Sequence, residues 1–411
     1  MAALGPIGYR PLEFCGFVVI ALWLASPALP CGQTTHVWTV LEAVDELPPG
    51  ALRDLLADPA MRPALVGGTM FPDGGYSHIV EHPYGEVSHW EPFQSSYGAW
   101  IAASWPGLEA DTEARNHLAF LFGLAGHGLG DQLFDASYLL RSQAIDTWGP
   151  DGADTATDVV FGATFGGWPT EERWVPYEDL VQRFGEVGVE VDVPTMELGM
   201  ASLEVALAFV ASAATQPDVV AEYEAVVPWA NAHLLDPTIP GSPARLPKAI
   251  AAYWVALWQR LHGGPPTADL VVHAEPEDGS FALPTDPGEL ADHVHLVLGS
   301  AVDEESVETS VRATANGQDV PVEAWMYYGQ HTNVLNIRPI ERWPESTTVS
   351  VHIDAGIPNF DESWVSSEPA VVTWSTAAEA PEVPAESSGC AAFGGLPLFV
   401  FLRRRSPRCP C

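Results

Sequence analysis

LAFLFGLAGHGLGDQLF, residues 118–134, is apolar nearly all round. Leu118, Phe120, Leu121, Phe122, Leu124, Leu129, Leu133 and Phe134 leave it no polar face, which predicts a buried helix. His127 and Asp131 stand four residues apart inside it. On a helix that spacing aims both side chains at one spot. A buried carboxylate without a partner is very costly. Either a metal ion shared by the pair or a direct His–Asp hydrogen bond would satisfy it.

Residues upstream carry the same chemistry. His36 lies in CGQTTHVW, Asp73 in the Gly/Pro-rich GGTMFPDGGY, which reads as a turn, and His89 in SHWEPF. Zinc takes histidine nitrogen and carboxylate oxygen, and catalytic zinc keeps one position open for water. A carboxylate that bridges two ions makes a clamp for a phosphoryl group. Each histidine alone reads more readily as a surface or capped residue than as a ligand; the series together predicts a metal centre.

CGQTTHV, FPDGGY, SHWEPF, LAFLFGLAGHGLGD and the later AIDTWG resemble the zinc-dependent phospholipase C family, in particular its glycosylphosphatidylinositol-specific phospholipase D branch. The resemblance covers roughly residues 31 to 200, in the same order and at similar spacing. It implies a compact all-α domain with three zinc ions in a cleft. Asp73, His89, His127 and Asp131 would hold one zinc. Cys31 (as first mature residue, through its amine), His36 and a bridging Asp131 would hold a second. At the third position the family places a His, then a His followed four residues later by an acid. The corresponding residues here are Asp135, Asp154 and Asp158, all acidic, which suits Mg or Ca better than zinc. DGADTATD, around the last two, reads equally as a solvated loop. Asp73 is also the candidate general base, a role that competes with ligation.

Further along, 175–188, 196–214 and 244–262 show apolar spacing near 3.6 and predict helices. Tyr253, Trp254, Trp258 and Leu261 read as core, and His262 as a cap. GGPP at 263–266 marks a boundary. Beyond it the alternating runs 270–273, 293–298, 320–327, 334–337 and 349–353 predict strands. With GSAVDEESV, NVLNIRP and AVVTWST they resemble a bacterial Ig-like domain. His293 and His295 share a strand face and read as surface residues or a two-His metal site.

The predicted fold is multidomain: an all-α zinc phospholipase C-like domain (31–263) followed by an Ig-like β-sandwich (267–376). Residues 1–30 read as a signal peptide, with Arg10 before the apolar run 17–24. An acidic Pro-rich linker (377–389) leads to a tail (390–411) resembling the sorting tags of myxobacterial surface proteins, with Cys390 the candidate for processing. The five cysteines make no disulfide framework. Lys plus Arg number 17 against 54 Asp plus Glu, a net charge of −37. That balance repels polynucleotide phosphates, so no nucleic-acid partner is expected. The expectation is a monomeric, secreted or surface-anchored phosphodiesterase that contacts a membrane and hydrolyses phospholipid or glycosylphospholipid head groups. The alternative is a weakened or inactive surface binding protein on the same fold.

Overall fold

The computed structural model describes residues 32–376, apart from 78, 147–149, 167–172, 264–269, 280, 284–292 and 330; at 150–154 and 281–283 only the backbone is described. The predicted signal peptide, Cys31, the acidic linker and the Cys390 tail lie outside the described residues.

The helix predicted from 118–134 spans Thr112–Leu133. Asp111 caps it, its carboxylate accepting from the amides of Glu113 (2.8 Å) and Ala114 (3.1 Å). From His117 to Leu133 every residue is buried, as an all-apolar surface requires. The helix then widens into a π-helix, Phe134–Leu139, so Asp135 follows Asp131 through a π turn. Helix Arg62–Gly74 packs beside it. Glycine makes that approach possible: a Cβ at Gly123 would lie 2.2 Å from the Leu65 carbonyl oxygen, and one at Gly68 2.0 Å from that of Phe120. Asp73 sits in the last turn of Arg62–Gly74, with Pro72 inside the helix. The Gly/Pro-rich stretch is therefore helix where a turn was predicted. Tight packing against the central helix overrides local turn preference.

Helices Gln33–Glu46, Glu91–Ser104 and Leu246–Leu261 also pack against the central helix. Tyr253 and Trp254 are buried in this core, as expected. Helix Val193–Ala214 is long and apolar enough by length and composition to cross a membrane, yet only 28% of its apolar window is buried. Leu198, Val205 and Phe209 stand exposed along it.

After the helices the described residues form nine strands: β1 (Val271–Glu275), β2 (Phe281–Leu283), β3 (Val294–Leu298), β4 (Val311–Ala315), β5 (Gln318–Val320), β6 (Val322–Met326), β7 (Val334–Pro339), β8 (Thr348–Ile353) and β9 (Ala370–Thr376). They form two small sheets, ordered β1-β3-β7-β6 and β2-β9-β8-β4-β5. All pairs are antiparallel except β2–β9. A helix, Glu304–Ser310, interrupts the strands where GSAVDEESV was read as part of an Ig-like module; Asp303 caps it.

The expectation of separate all-α and Ig-like domains is corrected. The described residues belong to one compact unit of mixed α and β structure. On β3, Val297 joins the helical core, as does Val334 at the start of β7, whereas Val294, Leu296 and Leu298 face the core between the sheets. The side-chain alternation of a strand thus gives the first sheet a core on each face. Glu91 fastens the layers. This buried carboxylate accepts from Tyr253 Oη (2.8 Å), Arg260 Nη1 (2.6 Å), Ser300 Oγ (2.8 Å), the Ala301 amide (2.8 Å) and Asn333 Nδ2. Two of those partners are helical and three come from the strand region. Periodicity reports which face of a segment is buried but not against what, which is why the strands looked like a separate module.

Candidate metal centre

Four elements converge on one buried spot. His127 and Asp131 come from the central helix, Asp73 from the end of Arg62–Gly74, His89 from the end of Tyr84–His89, and His36 from the first turns of Gln33–Glu46. All five are at most 2% exposed. Glycine again admits the neighbour: a Cβ at Gly128 would lie 2.1 Å from the His89 carbonyl oxygen.

His127 Nε2 lies 3.0 Å from His89 Nε2. Asp131 Oδ2 is 3.3 Å from His89 Nε2 and 3.4 Å from His127 Nε2. Asp73 Oδ1 is 3.7 Å from each of the same nitrogens. Ligands about 2.1 Å from a tetrahedral zinc stand about 3.4 Å from one another. The five separations bracket that edge length. His89 Nδ1 lies 2.6 Å from the Gly85 carbonyl oxygen. Donation there leaves Nε2 as the nitrogen that faces the cluster, the usual outer support of a histidine that ligates once that nitrogen gives up its proton.

Asp131 also faces the other way. Its Oδ1 lies 2.8 Å from His36 Nε2, but the two are not aligned as a hydrogen bond, and both Asp131 oxygens and both His36 nitrogens lack hydrogen-bond partners. Buried polar groups are rarely left so. His36, His127 and Asp131 form one group able to hold an ion; Asp73, His89 and His127 form another. The buried histidines and aspartates can hold a metal ion.

The electrostatics agree. Burial opposes charge on His89, but Asp131 and Asp73 outweigh it and raise it to about 10. Burial likewise opposes charge on His36, which Asp131 and then Asp73 raise. Burial, then His36, lowers His127. Burial would raise Asp131, yet His36 and His127 hold it well below the usual carboxylate range. Carboxylates that keep protons on neighbouring imidazoles offer a cation the same attraction.

The remaining predicted ligands fare differently. Asp73 accepts the Gln33 side-chain amide on Oδ2 and turns Oδ1 to the two histidines, an arrangement suited to a ligand rather than a free base. Asp135 accepts from Tyr327 Oη at 2.7 Å; burial first, and Asp131 second, push it up to about 8. Asp158 caps a helix. It accepts from the amides of Thr34 (3.2 Å) and Thr35 (2.9 Å) and from Thr35 Oγ1 (3.1 Å). That occupies the carboxylate which the resemblance assigned to a metal. The Asp154 side chain and Cys31 lie outside the described residues. His293 and His295, read as surface residues or a two-His site, are buried, and His295 Nδ1 lies 2.7 Å from Asn336 Oδ1. Among the described residues no third potential ligand joins them.

Sequence reasoning missed Gln33, Glu91 and Tyr327. Glu91 lies within the SHWEPF motif two residues after His89, but nothing local distinguishes it from a surface acid.

No family model matches the chain, and no curated protein matches it. Solved structures similar to it include the S-layer protein rSbsC (TM-score 0.22, 10% identity, covering 80% of this chain and 46% of that one). Domains 1–6 of surface layer protein SbsC give a TM-score of 0.21 at 10% identity, with 80% and 46% covered. The N-terminal part of bacterial S-layer protein SbsC gives 0.21 at 10% identity, with 80% and 78% covered. The chain thus spans about half the length of the first two. At such TM-scores these likenesses carry no argument about fold or function.

Proposed function

We propose that this protein is an exported or surface-anchored metal-dependent phosphodiesterase acting on phospholipid or glycosylphospholipid head groups. The observation that carries the proposal is the buried cluster in which Asp73 and Asp131 each approach both His89 and His127, with Asp131 turning its second oxygen to His36. Histidine nitrogen mixed with carboxylate oxygen is a donor set that zinc favours. Bound ions would neutralise phosphoryl oxygens and lower the pKa of a bound water. Asp73, His89, His127 and Asp131 would hold the first ion, and His36 and Asp131 a second. The chain itself contributes rigid ligand placement: Gly85 orients His89, Gln33 holds Asp73, and the central helix fixes His127 against Asp131. The motif resemblance noted above supplies the substrate class. The exposed apolar residues Leu198, Val205 and Phe209 would contact the membrane without cationic help, in keeping with the net charge of −37.

A second reading, a catalytically weakened binding protein on the same scaffold, is favoured by one observation. Asp158 is consumed as a helix cap, and the third position has no imidazole.

Metal content and turnover on one preparation decide between them. The full chain is expected to hold zinc and to release phosphorylated head group or free head-group alcohol from mixed phospholipid vesicles. A chelator should abolish turnover, and His127→Ala should lose both metal and activity. Absence of turnover after zinc, magnesium and calcium are each supplied would end the enzyme reading.

A further inference from the structure

Helix Val193–Ala214 has two apolar faces, and only one of them is covered. Met196, Gly199, Met200, Leu203 and Leu207 are buried. Leu198, Val205 and Phe209 stand exposed, with exposed Ala201 and Ala208 between them. At 100° per residue these five positions form one stripe, opposite the buried set. A helix of mean hydropathy 1.5 thus keeps an apolar stripe in solvent along most of its length.

Two occupants can be weighed by size and charge. The helix has 22 residues, so the stripe is about 33 Å long and about 10 Å wide. Roughly 300 Å² is less than half of the roughly 800 Å² that each partner of a stable complex buries. A second copy would also bring another −37 charges. Lipid sets no such minimum area. Crossing the bilayer is ruled out by the covered face. A Cβ at Gly199 would lie 2.4 Å from the Gly74 carbonyl oxygen, so the helix is locked onto Arg62–Gly74, next to Asp73. A helix apolar outside and locked inside lies in the plane of the membrane surface.

Charge then selects the lipid. Between Arg183 and Arg245 there is no Lys or Arg, whereas nine Asp and Glu occur. Glu197 and Glu204 are exposed on one flank of the stripe. An anionic leaflet attracts basic segments and repels this one.

We propose that helix Val193–Ala214 is an interfacial docking helix that seats the protein on zwitterionic lipid and turns it away from anionic lipid. This rests on the reading of a lipid-acting phosphodiesterase, and it names the surface and the lipid class through which that protein meets its substrate.

The test uses the full chain with vesicles of phosphatidylcholine alone, or with about a third phosphatidylglycerol as the anionic lipid. Co-sedimentation measures binding. Circular dichroism, light scattering and hydrolysis of bis(p-nitrophenyl) phosphate, a water-soluble phosphodiester, are followed in parallel. Wild type is expected to bind phosphatidylcholine and to bind the anionic vesicles more weakly, a difference that shrinks as salt screens it. The double variant Val205→Gln, Phe209→Gln should bind phosphatidylcholine about 10–100-fold more weakly, having lost two apolar side chains to bury, with its spectrum and soluble turnover unchanged. Ile340→Gln, at an exposed residue just past β7, should bind as wild type does. Unchanged binding by the folded double variant overturns the proposal. Should that variant fail to fold, the lipid preference of wild type carries the test: equal or tighter binding to anionic vesicles overturns the proposal and points to Arg403, Arg404 and Arg405 of the tail. A wild-type dimer that the double variant dissociates overturns it in favour of a second copy. Soluble turnover without vesicle binding overturns it and leaves the phosphodiesterase reading standing. Stripe-dependent vesicle binding without turnover on either substrate supports the docking helix and ends the enzyme reading.

Discussion

His89 and His127 hold their Nε2 atoms 3.0 Å apart in a pocket with two aspartates. A proton or a metal ion between them relieves the crowding, and pH separates the two. Without metal, His89 is raised to about 10 from an ordinary value of 6.5. Its contribution to stability is complete below pH 6.5 and is lost as pH rises through about 10. Asp135, raised to about 8 from 3.8, acts in the same direction: the folded chain favours its protonated form, and that advantage is lost as pH climbs from 3.8 through 8. In EDTA the melting temperature should therefore fall between pH 6.5 and 9. With zinc the fall should shrink or reverse, because ligation needs deprotonated imidazole. Thermal melts followed by circular dichroism check this; a flat profile in EDTA would show that the cluster does not hold its protons as described. His36, Asp73, His89, His127 and Asp131 were legible in the sequence because their residue types are themselves ligand chemistry. Gln33 and Tyr327 were not, since an amide and a phenol acquire their role only from the carboxylate that packing sets beside them.

At the scale of elements, the decisive fact is what Asp158 does. Its place in DGADTATD fits a ligand or a loop residue, and the sequence leaves the two open. The structure brings helix Gln33–Glu46 end-on to it, so the carboxylate takes the amides of Thr34 and Thr35. A negative group at a helix N-terminus also meets the positive end of the dipole. Asp158→Ala is expected to cost about 0.5–2 kcal/mol, the usual loss of a capping residue, and to leave the number of bound zinc ions unchanged. Urea unfolding paired with metal analysis measures both; a folded variant that loses an ion would return Asp158 to the metal centre. The helices themselves were legible from apolar spacing. The helical state of FPDGGY and the helix Glu304–Ser310 were not, because packing and a single Asp303 cap overrode turn- and strand-like composition.

At the scale of the molecule, Glu91 decides between one unit and two domains. Replacing it with alanine would leave the partly buried Arg260 without its anion, beside three donors (Tyr253 Oη, the Ala301 amide and Asn333 Nδ2) with no acceptor. Breaking a buried pair in this way costs about 3–5 kcal/mol. Wild type should unfold in one step, with far-UV circular dichroism and tryptophan fluorescence coincident. Glu91→Ala should either unfold several kcal/mol more easily or separate the two signals. Two resolved transitions in wild type would restore the independent-module view.

By itself the sequence determined the buried central helix, the pairing of His127 with Asp131, the supply of metal-binding side chains and the place where helices give way to strands. These are local properties: a turn of 3.6 residues and the alternation of a strand are written in neighbouring positions. Only the tertiary structure decided which carboxylates bind and which cap, that Glu91 joins helices to strands, and that Tyr327 reaches Asp135. A buried carboxylate must find its partners wherever packing brings donors, and here those donors lie up to 242 residues away.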